Sequence, residues 1–277
     1  MKNSNNKNKR VIPGFGLSLG VTVSILGLIV IIPLCSLVIF SANLSIKEFI
    51  ETVTRPRVLS SYYVSFKTSF IAALIDAVMG MIIAWVLVRY EFPGKKIMNG
   101  MIELPFALPT AVAGISLTYL TSTNGWRGSF FNQFGIKIAY TRVGITIALI
   151  FIGIPFVVRA VQPVLENIDL QYEEAANILG GNARQTFIHV ILPEIFPALI
   201  GGFTLSFARG LGEYGSVVFI AGNQPYETEI APLIIMSELQ EYDYASATSI
   251  ALIMLLVAFL ILFINAILQS RTSKIVS

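Results

Sequence analysis

Long apolar runs constrain this chain more than any other feature of its sequence. Several runs approach the roughly 20 residues that an α-helix needs to cross the hydrocarbon core of a bilayer. Hydrophobic residues make up 55% of the 277 positions and charged residues only 13%, which leaves too little polar residue to cover the surface of a water-soluble domain. The sequence therefore predicts an all-α integral membrane protein.

Six segments have the length and hydropathy of membrane-spanning helices. They cover residues 14–40, 64–88, 97–120, 141–161, 194–221 and 246–268. The first is predicted to be a retained helix, because its apolar run exceeds the usual signal-peptide core of about 7 to 15 residues. The predicted organisation is a tail of residues 1–13, a transmembrane domain of residues 14–269 and a tail of residues 270–277.

The positive residues predict an orientation, because cytoplasmic loops of membrane proteins are enriched in Lys and Arg. With the amino terminus inside, the cytoplasmic set contains Lys2, Lys7, Lys9, Arg10, Arg89, Lys95, Lys96, Arg159, Arg184, Arg271 and Lys274. The smaller outer set contains Lys47, Arg55, Arg57, Lys67, Arg127, Lys137 and Arg142. Both termini are therefore predicted to lie in the cytoplasm.

The longest predicted cytoplasmic loop, residues 162–193, has a pattern of its own. Its first half reads Tyr-Glu-Glu-Ala-Ala-Asn-Ile-Leu-Gly from Tyr172, with strong helix formers and acidic residues near the amino end, where the helix dipole favours them. Gly180 and Gly181 can end that helix or turn the chain. A second short helix is predicted to begin near Asn182 and to stop near Pro193, so the loop reads as a helix, a glycine turn and a helix.

This loop resembles the cytoplasmic signature of the permease subunits of ABC importers. The signature is Glu-Ala-Ala, three residues, Gly, nine residues, then an aliphatic residue, any residue and Leu-Pro. The matching residues are Glu174, Ala175, Ala176, Gly180, Val190, Leu192 and Pro193. The resemblance implies a type I ABC importer permease fold and a loop that docks on a separate ATPase subunit. The alternative is an interfacial helix without a partner.

The fifth predicted span contains two charged residues, Arg209 and Glu213. An ionised side chain at the bilayer centre costs at least about 2.5 to 3.5 kcal/mol on insertion scales, so each needs a partner or water. The two lie at helical spacing, and Ser206 and Ser216 fall on roughly the same face. The four residues are candidates for a translocation pathway. The alternative is a self-neutralising pair that does not touch the substrate.

Two further segments narrow the resemblance to the sulfate, molybdate and tungstate branch of these permeases. They are residues 104–114, which contain Pro105 and Pro109, and residues 208–223. Molybdate members tend to read Phe-Gly-Ala where this chain has Tyr214, Gly215 and Ser216. The resemblance thus implies a permease for sulfate or thiosulfate, with molybdate or tungstate as the alternative.

The chain contains no GxxxxGK[ST] phosphate loop, so it is predicted not to be an enzyme, and ATP and Mg²⁺ are expected on the ATPase. The resemblance implies a pair of ATPase subunits, a second homologous permease subunit and an external sulfate-binding protein as partners, besides membrane lipid. No nucleic-acid partner is predicted, and the single histidine, His189, excludes a multi-histidine metal site.

A proton-coupled secondary transporter that uses Asp76, Glu103 and Glu213 is the less favoured alternative. The Asn- and Lys-rich start fits either a bacterial inner membrane or a plastid envelope protein encoded in the organelle, since it lacks the Arg- and Ser-rich composition expected of an imported protein's transit peptide.

Overall fold

The structure is a computed structural model that describes residues 15–123, 125, 128, 133–135 and 137–276, with side chains up to Ile267. The described residues form helices and contain no strand. In chain order the helices are α1 (Phe15–Ser41), α2 (Ile46–Val53), α3 (Pro56–Arg89), α4 (Lys95–Ile102), α5 (Leu104–Ala107), α6 (Thr110–Thr121), α7 (Arg142–Asn167), α8 (Leu170–Ile178), α9 (Ala183–Thr186), α10 (Leu192–Leu211), α11 (Val217–Ala221), α12 (Ala231–Gln240) and α13 (Tyr244–Val276).

Helices α3, α7 and α10 form the centre of the bundle. Small residues allow their close approach, since a Cβ at Gly80 of α3 would lie 2.7 Å from Val157 of α7, and one at Gly202 of α10 would lie 2.8 Å from the same residue. Around them, Leu87, Val161 and Ile195 are almost fully buried. Such small-residue seams favour helix association in membranes, where no hydrophobic force acts between helices.

Helix α1 lies at the edge of the bundle and packs on α13. The Ser41 and Ser249 hydroxyls are hydrogen bonded at 3.0 Å, and the Phe40 and Tyr244 rings lie 6.3 Å apart. Most other side chains of α1 are exposed although the helix is apolar on all sides. An apolar surface of this kind is suited to lipid or to another membrane helix.

Five helical runs among the described residues are long and apolar enough to cross a membrane. They are Phe15–Ser41, Pro56–Arg89, Arg142–Asn167, Ala183–Leu211 and Tyr244–Ile267, and they correspond to the first, second, fourth, fifth and sixth predicted spans. Residues 1–14, which carry the amino-terminal positive charges, lie outside the described residues. The cytoplasmic position of both termini stays a prediction.

The third predicted span, residues 97–120, is not the continuous helix that hydropathy indicated. It is divided into α4, α5 and α6, and only α6 is an apolar helix of intermediate length. Pro105 is the second residue of α5, and Leu108, which precedes Pro109, has extended backbone angles. A proline disfavours helical geometry in the residue before it and cannot donate its own backbone hydrogen bond, so the two prolines break the span.

The fifth predicted span, residues 194–221, also has different limits. Helix α10 ends at Leu211, and residues 212–216 separate it from the short helix α11. At its other end, the predicted stop near Pro193 is wrong, because α9 continues through a π-helical segment, Phe187–Ile191, into α10. The wider π turn accommodates Pro193 near the start of α10, where its missing N–H is tolerated.

The predicted cytoplasmic loop begins later than expected. Helix α7 continues to Asn167 and includes Pro163, so the first residues of the predicted 162–193 loop belong to the fourth span. The loop proper therefore consists of α8, its glycine turn and the α9 run into α10.

Candidate coupling loop and translocation site

The loop after α7 folds as the predicted helix, glycine turn and helix. Asp169 caps α8, and its Oδ1 accepts a hydrogen bond from the Gln171 N–H at 3.0 Å. Gly180 has a φ of +85°, which favours glycine because in any other residue the Cβ would crowd the adjacent backbone at this φ. Asn182 and Gln185 then form a capping box that begins α9. Local sequence thus fixes the shape of the loop.

The turn of this loop presents apolar side chains to the outside. Ile178 and Leu179 are 86% and 88% exposed, and Leu170 and Tyr172 are also exposed. Beside them lies a cavity of about 340 Å³, lined by Ala176, Leu179, Gly180, Gly181, Gln185, Thr186, His189 and Val190. Contiguous exposed apolar residues beside a concavity are typical of a protein-binding surface.

The seven predicted coupling residues are distributed over both halves of the loop. Glu174 and Ala175 are exposed on α8, Ala176 is half-buried, and Gly180 forms the turn. Val190 and Leu192 are half-buried and pack against the central core, whereas Pro193 is exposed. The structure therefore places the Glu-Ala-Ala part on the surface, while the aliphatic part attaches the loop to the bundle.

Two contacts that the sequence did not predict attach the loop to α3. Arg89 Nη2 lies 2.7 Å from Glu173 Oε1, in an ion pair that is mostly buried. The Trp85 and Phe187 rings meet edge to face at 5.4 Å, an arrangement favoured by the charge distribution of aromatic rings. The sequence features that could have indicated the ion pair are Arg89, at the predicted cytoplasmic end of the second span, and Glu173, directly before the Glu-Ala-Ala motif.

Arg209 and Glu213 form an ion pair, although Glu213 lies beyond the end of α10. Arg209 Nη2 is 2.8 Å from Glu213 Oε2, and the Glu213 side chain is 2% exposed whereas that of Arg209 is 40% exposed. Ser216 donates to Glu213 Oε1 from its backbone N–H at 2.9 Å and from its hydroxyl at 3.1 Å. The carboxylate is thus held on both oxygens, and it fixes the arginine at the end of α10.

Ser206 belongs to a second polar group and not to the Arg209 group. Its hydroxyl donates to Asp76 Oδ2 at 2.6 Å, and both side chains are buried. Gly153 of α7 leaves the space for this contact, because a Cβ there would overlap with the Asp76 carboxylate and the Ser206 hydroxyl. The predicted four-residue polar stripe is therefore divided between a site at the end of α10 and a junction of α3, α7 and α10.

A family model of the inner membrane components of binding-protein-dependent transport systems matches residues 76–274. The chain belongs to this family. The matched region begins at Asp76 in α3 and includes the coupling loop and the Arg209 site. Membership in this family and the helical fold together make the chain a multi-pass membrane protein.

Relatives of this transport component are known from bacteria and from algae. The sulfate transport system permease protein CysT of Salmonella typhimurium is 47% identical over 267 residues, which cover 96% of this chain and 96% of that protein. The probable sulfate transport system permease protein cysT of Nephroselmis olivacea is 44% identical over 87% of this chain and 85% of its own length. Bacterial and algal relatives fit both membranes that the sequence indicated.

The fold is also found in a solved ABC transporter. One chain of a bacterial alginate ABC transporter, crystallised with an alginate pentasaccharide-bound periplasmic protein, superposes with a TM-score of 0.76. The match covers 94% of this chain and 96% of that chain at 18% identity, so it supports the predicted type I permease fold alone.

The three carboxylates of the proton-relay alternative have three different partners in this transport component. Asp76 accepts from Ser206, Glu103 pairs with Arg159, and Glu213 pairs with Arg209. His189 lies on the coupling loop, where its Nδ1 is 3.0 Å from the Gln185 carbonyl oxygen.

Proposed function

We propose that this chain is a permease subunit of an ATP-driven importer for sulfate or thiosulfate. The observation that carries this proposal is its 47% identity, over 96% of both chains, to a sulfate transport system permease protein. The surface-exposed Glu-Ala-Ala helix supports it independently, because a secondary transporter has no need of a docking loop for an ATPase.

Coupling runs through α8 and its glycine turn. The exposed Ile178 and Leu179 side chains supply an apolar contact for the ATPase, and the exposed Glu174 supplies a carboxylate that can accept hydrogen bonds. ATP and Mg²⁺ bind to the ATPase, and its closure moves α8. The ion pair between Arg89 and Glu173 then transmits that movement to α3.

Arg209 is the residue of this chain that first attracts the oxyanion. Its guanidinium is partly exposed while its carboxylate partner is buried, so the positive group is the member of the pair that an anion can reach. The pairing with Glu213 weakens the attraction, which suits a path that a dianion must leave as readily as it enters. Ser216 acts on this path through Glu213, and Ser206 acts on helix packing through Asp76.

The complete importer contains a second permease subunit, a pair of ATPase subunits and an external binding protein. The family description, a component of a binding-protein-dependent transport system, supports the binding protein. The exposed apolar side chains of α6, which include Val112, Ile115 and Tyr119, are suited to contact with a second permease subunit.

Uptake of radiolabelled sulfate tests this proposal, in cells that lack this chain and in the same cells complemented with it. Uptake should disappear on deletion, return on complementation and be competed by thiosulfate. Molybdate and phosphate serve as further competitors. Unchanged sulfate uptake with a collapse of molybdate uptake would assign the chain to the molybdate alternative. Sulfate uptake that persists after ATP depletion would favour the proton-coupled alternative.

A further inference from the structure

An apolar groove lies between α3 and α7, toward the end of α7 opposite the coupling loop. Helix α7 begins at Arg142 and ends beside α8, so its first turns and the coupling loop are separated by the length of the helix. The groove has a volume of about 340 Å³, and its lining residues are Lys67, Thr68, Ile71, Ile75, Arg142, Val143, Thr146, Ile147 and Ile150.

The walls of the groove are hydrocarbon. Its two hydroxyl groups are directed to their own helices, because Thr68 Oγ1 donates to the Val64 carbonyl at 2.8 Å and Thr146 Oγ1 donates to the Arg142 carbonyl at 2.9 Å. The threonine methyl groups and the aliphatic side chains therefore form the surface. A groove of this kind has no polar contacts for a hydrated ion but accommodates an alkyl chain.

Two cations lie at one end of the groove without a carboxylate partner. Lys67 Nζ donates to the Tyr63 hydroxyl at 3.1 Å, and Arg142 donates to the carbonyls of Glu227 at 2.6 Å and Tyr226 at 3.1 Å. Within the described residues, no Asp or Glu oxygen lies within 4.0 Å of either group. Both positive charges are therefore available to an anion.

The groove is long enough to hold most of one acyl chain of a lipid. Lys67 to Ile75 on α3 and Arg142 to Ile150 on α7 each contain nine residues, and the eight steps between the first and the last rise about 12 Å along a helix. One leaflet of the hydrocarbon core is about 15 Å thick. A molecule with its charge at the two cations can thus place most of one acyl chain along the groove.

We propose that this groove binds one anionic phospholipid, with its phosphate between Lys67 and Arg142 and an acyl chain along Ile71, Ile75 and Ile147. Charge complementarity favours an anionic headgroup over a zwitterionic one, and the hydrocarbon walls favour a lipid over the transported oxyanion. The bound lipid lies across the seam between α3 and α7 and contacts both helices. This site does not depend on the identity of the transported anion.

Retention of lipid by the purified transporter tests the site. The complex is mixed with phosphatidylglycerol or phosphatidylcholine in detergent, and bound lipid is counted by native mass spectrometry. The wild type should retain phosphatidylglycerol in preference, and Lys67→Gln should lower that retention about fivefold, as expected for one basic residue at an anionic surface. Lys47→Gln removes an exposed lysine on α2 and should have no effect.

A second variant keeps the test decisive if the lysine variant is poorly folded. Ile71→Trp fills the groove with a residue that is partly exposed in the wild type, and it should lower the retention of phosphatidylglycerol without a change of charge. Equal retention by the wild type and both variants would overturn the proposal. Displacement of phosphatidylglycerol by sulfate would overturn it as well, because the two cations would then serve the transported anion.

Discussion

Arg89 at the last turn of α3 and Glu173 in the first turn of α8 form an ion pair of 2.7 Å that joins the coupling loop to the centre of the bundle. The two charged atoms are close enough for an ion pair, but their geometry is not that of a hydrogen bond. Among the described residues, the buried atoms Glu173 Oε1 and Arg89 Nε have no hydrogen-bond partner. Its role is therefore electrostatic, and it links α8 to the helix that carries Asp76.

Glu173→Gln should uncouple the loop from α3. Arg89 is left with a side chain that is only 12% exposed, and an unsatisfied buried group costs about 1 to 3 kcal/mol. Sulfate uptake should fall at an unchanged amount of protein in the membrane, and the exchanged pair Arg89→Glu with Glu173→Arg should restore part of it. The control is Glu91→Gln, which removes an exposed ion pair with Lys95 of about 0 to 1 kcal/mol. Equal uptake by Glu173→Gln and Glu91→Gln would contradict this role.

Gly180 is a position where backbone conformation limits function. Its φ of +85° is strained for any other residue, although a Cβ there would meet no atom within 4 Å. Gly180→Ala should cost about 1 to 2 kcal/mol and weaken coupling, and Gly180→Asp should abolish uptake while membrane insertion stays intact. The matched control is Gly100→Ala in α4, which also meets no neighbour within 4 Å. Normal uptake by Gly180→Asp would refute the coupling role of the turn.

Gly153 determines how closely α7 approaches α3 and α10. A methyl group there overlaps with the Asp76 carboxylate and the Ser206 hydroxyl, and overpacking of this kind typically costs about 1 to 3 kcal/mol. Gly153→Ala should therefore lower the thermal unfolding temperature of the purified complex. Gly20→Ala in α1 is the control, because a Cβ there has no neighbour within 4 Å. Unfolding of Gly153→Ala at the wild-type temperature would show that the three helices can separate without cost.

Substitutions of Arg209 and Glu213 should have non-additive effects on the stability of the protein. Arg209→Met leaves the buried Glu213 carboxylate without its cation, and a buried polar group that loses its partner costs about 1 to 3 kcal/mol. Glu213→Gln should cost less, because the Arg209 side chain is 40% exposed and can be solvated. The double variant should be more stable than Arg209→Met alone, as measured by thermal unfolding in detergent. Additive losses would mean that the two residues do not depend on each other.

The elements that sequence alone predicted are those determined by local chemistry. The apolar runs gave the five long spans, and the spacing of Glu174, Ala175, Ala176 and Gly180 gave the coupling loop, since capping and glycine turns act over a few residues. The predicted ends of the helices were wrong at prolines, because a proline can either break a helix or be accommodated in it. Pro105 and Pro109 break a helix, whereas Pro155 and Pro163 lie inside α7 and Pro193 is accommodated by a π turn.

Contacts between segments that are distant in the chain could not be predicted from the sequence. Asp76 and Ser206 meet because Gly153 and Gly202 let three helices approach closely, and neither residue carries a local signal of that pairing. The sequence shows that Arg89 and Glu173 are charged, but their contact depends on the position of α8 relative to α3. The groove between α3 and α7 likewise results from the packing of two helices that are far apart in the chain.

Reconstitution of the complete importer tests whether sulfate transport by this chain is driven by ATP. The permease pair, its ATPase and its binding protein are placed in proteoliposomes, and accumulation of radiolabelled sulfate is measured with ATP or with a non-hydrolysable analogue. We expect sulfate accumulation that needs ATP hydrolysis and the binding protein, and that is lost in Gly180→Asp. Sulfate accumulation driven by a proton gradient without ATP, or by the Gly180→Asp complex at the wild-type rate, would contradict this expectation.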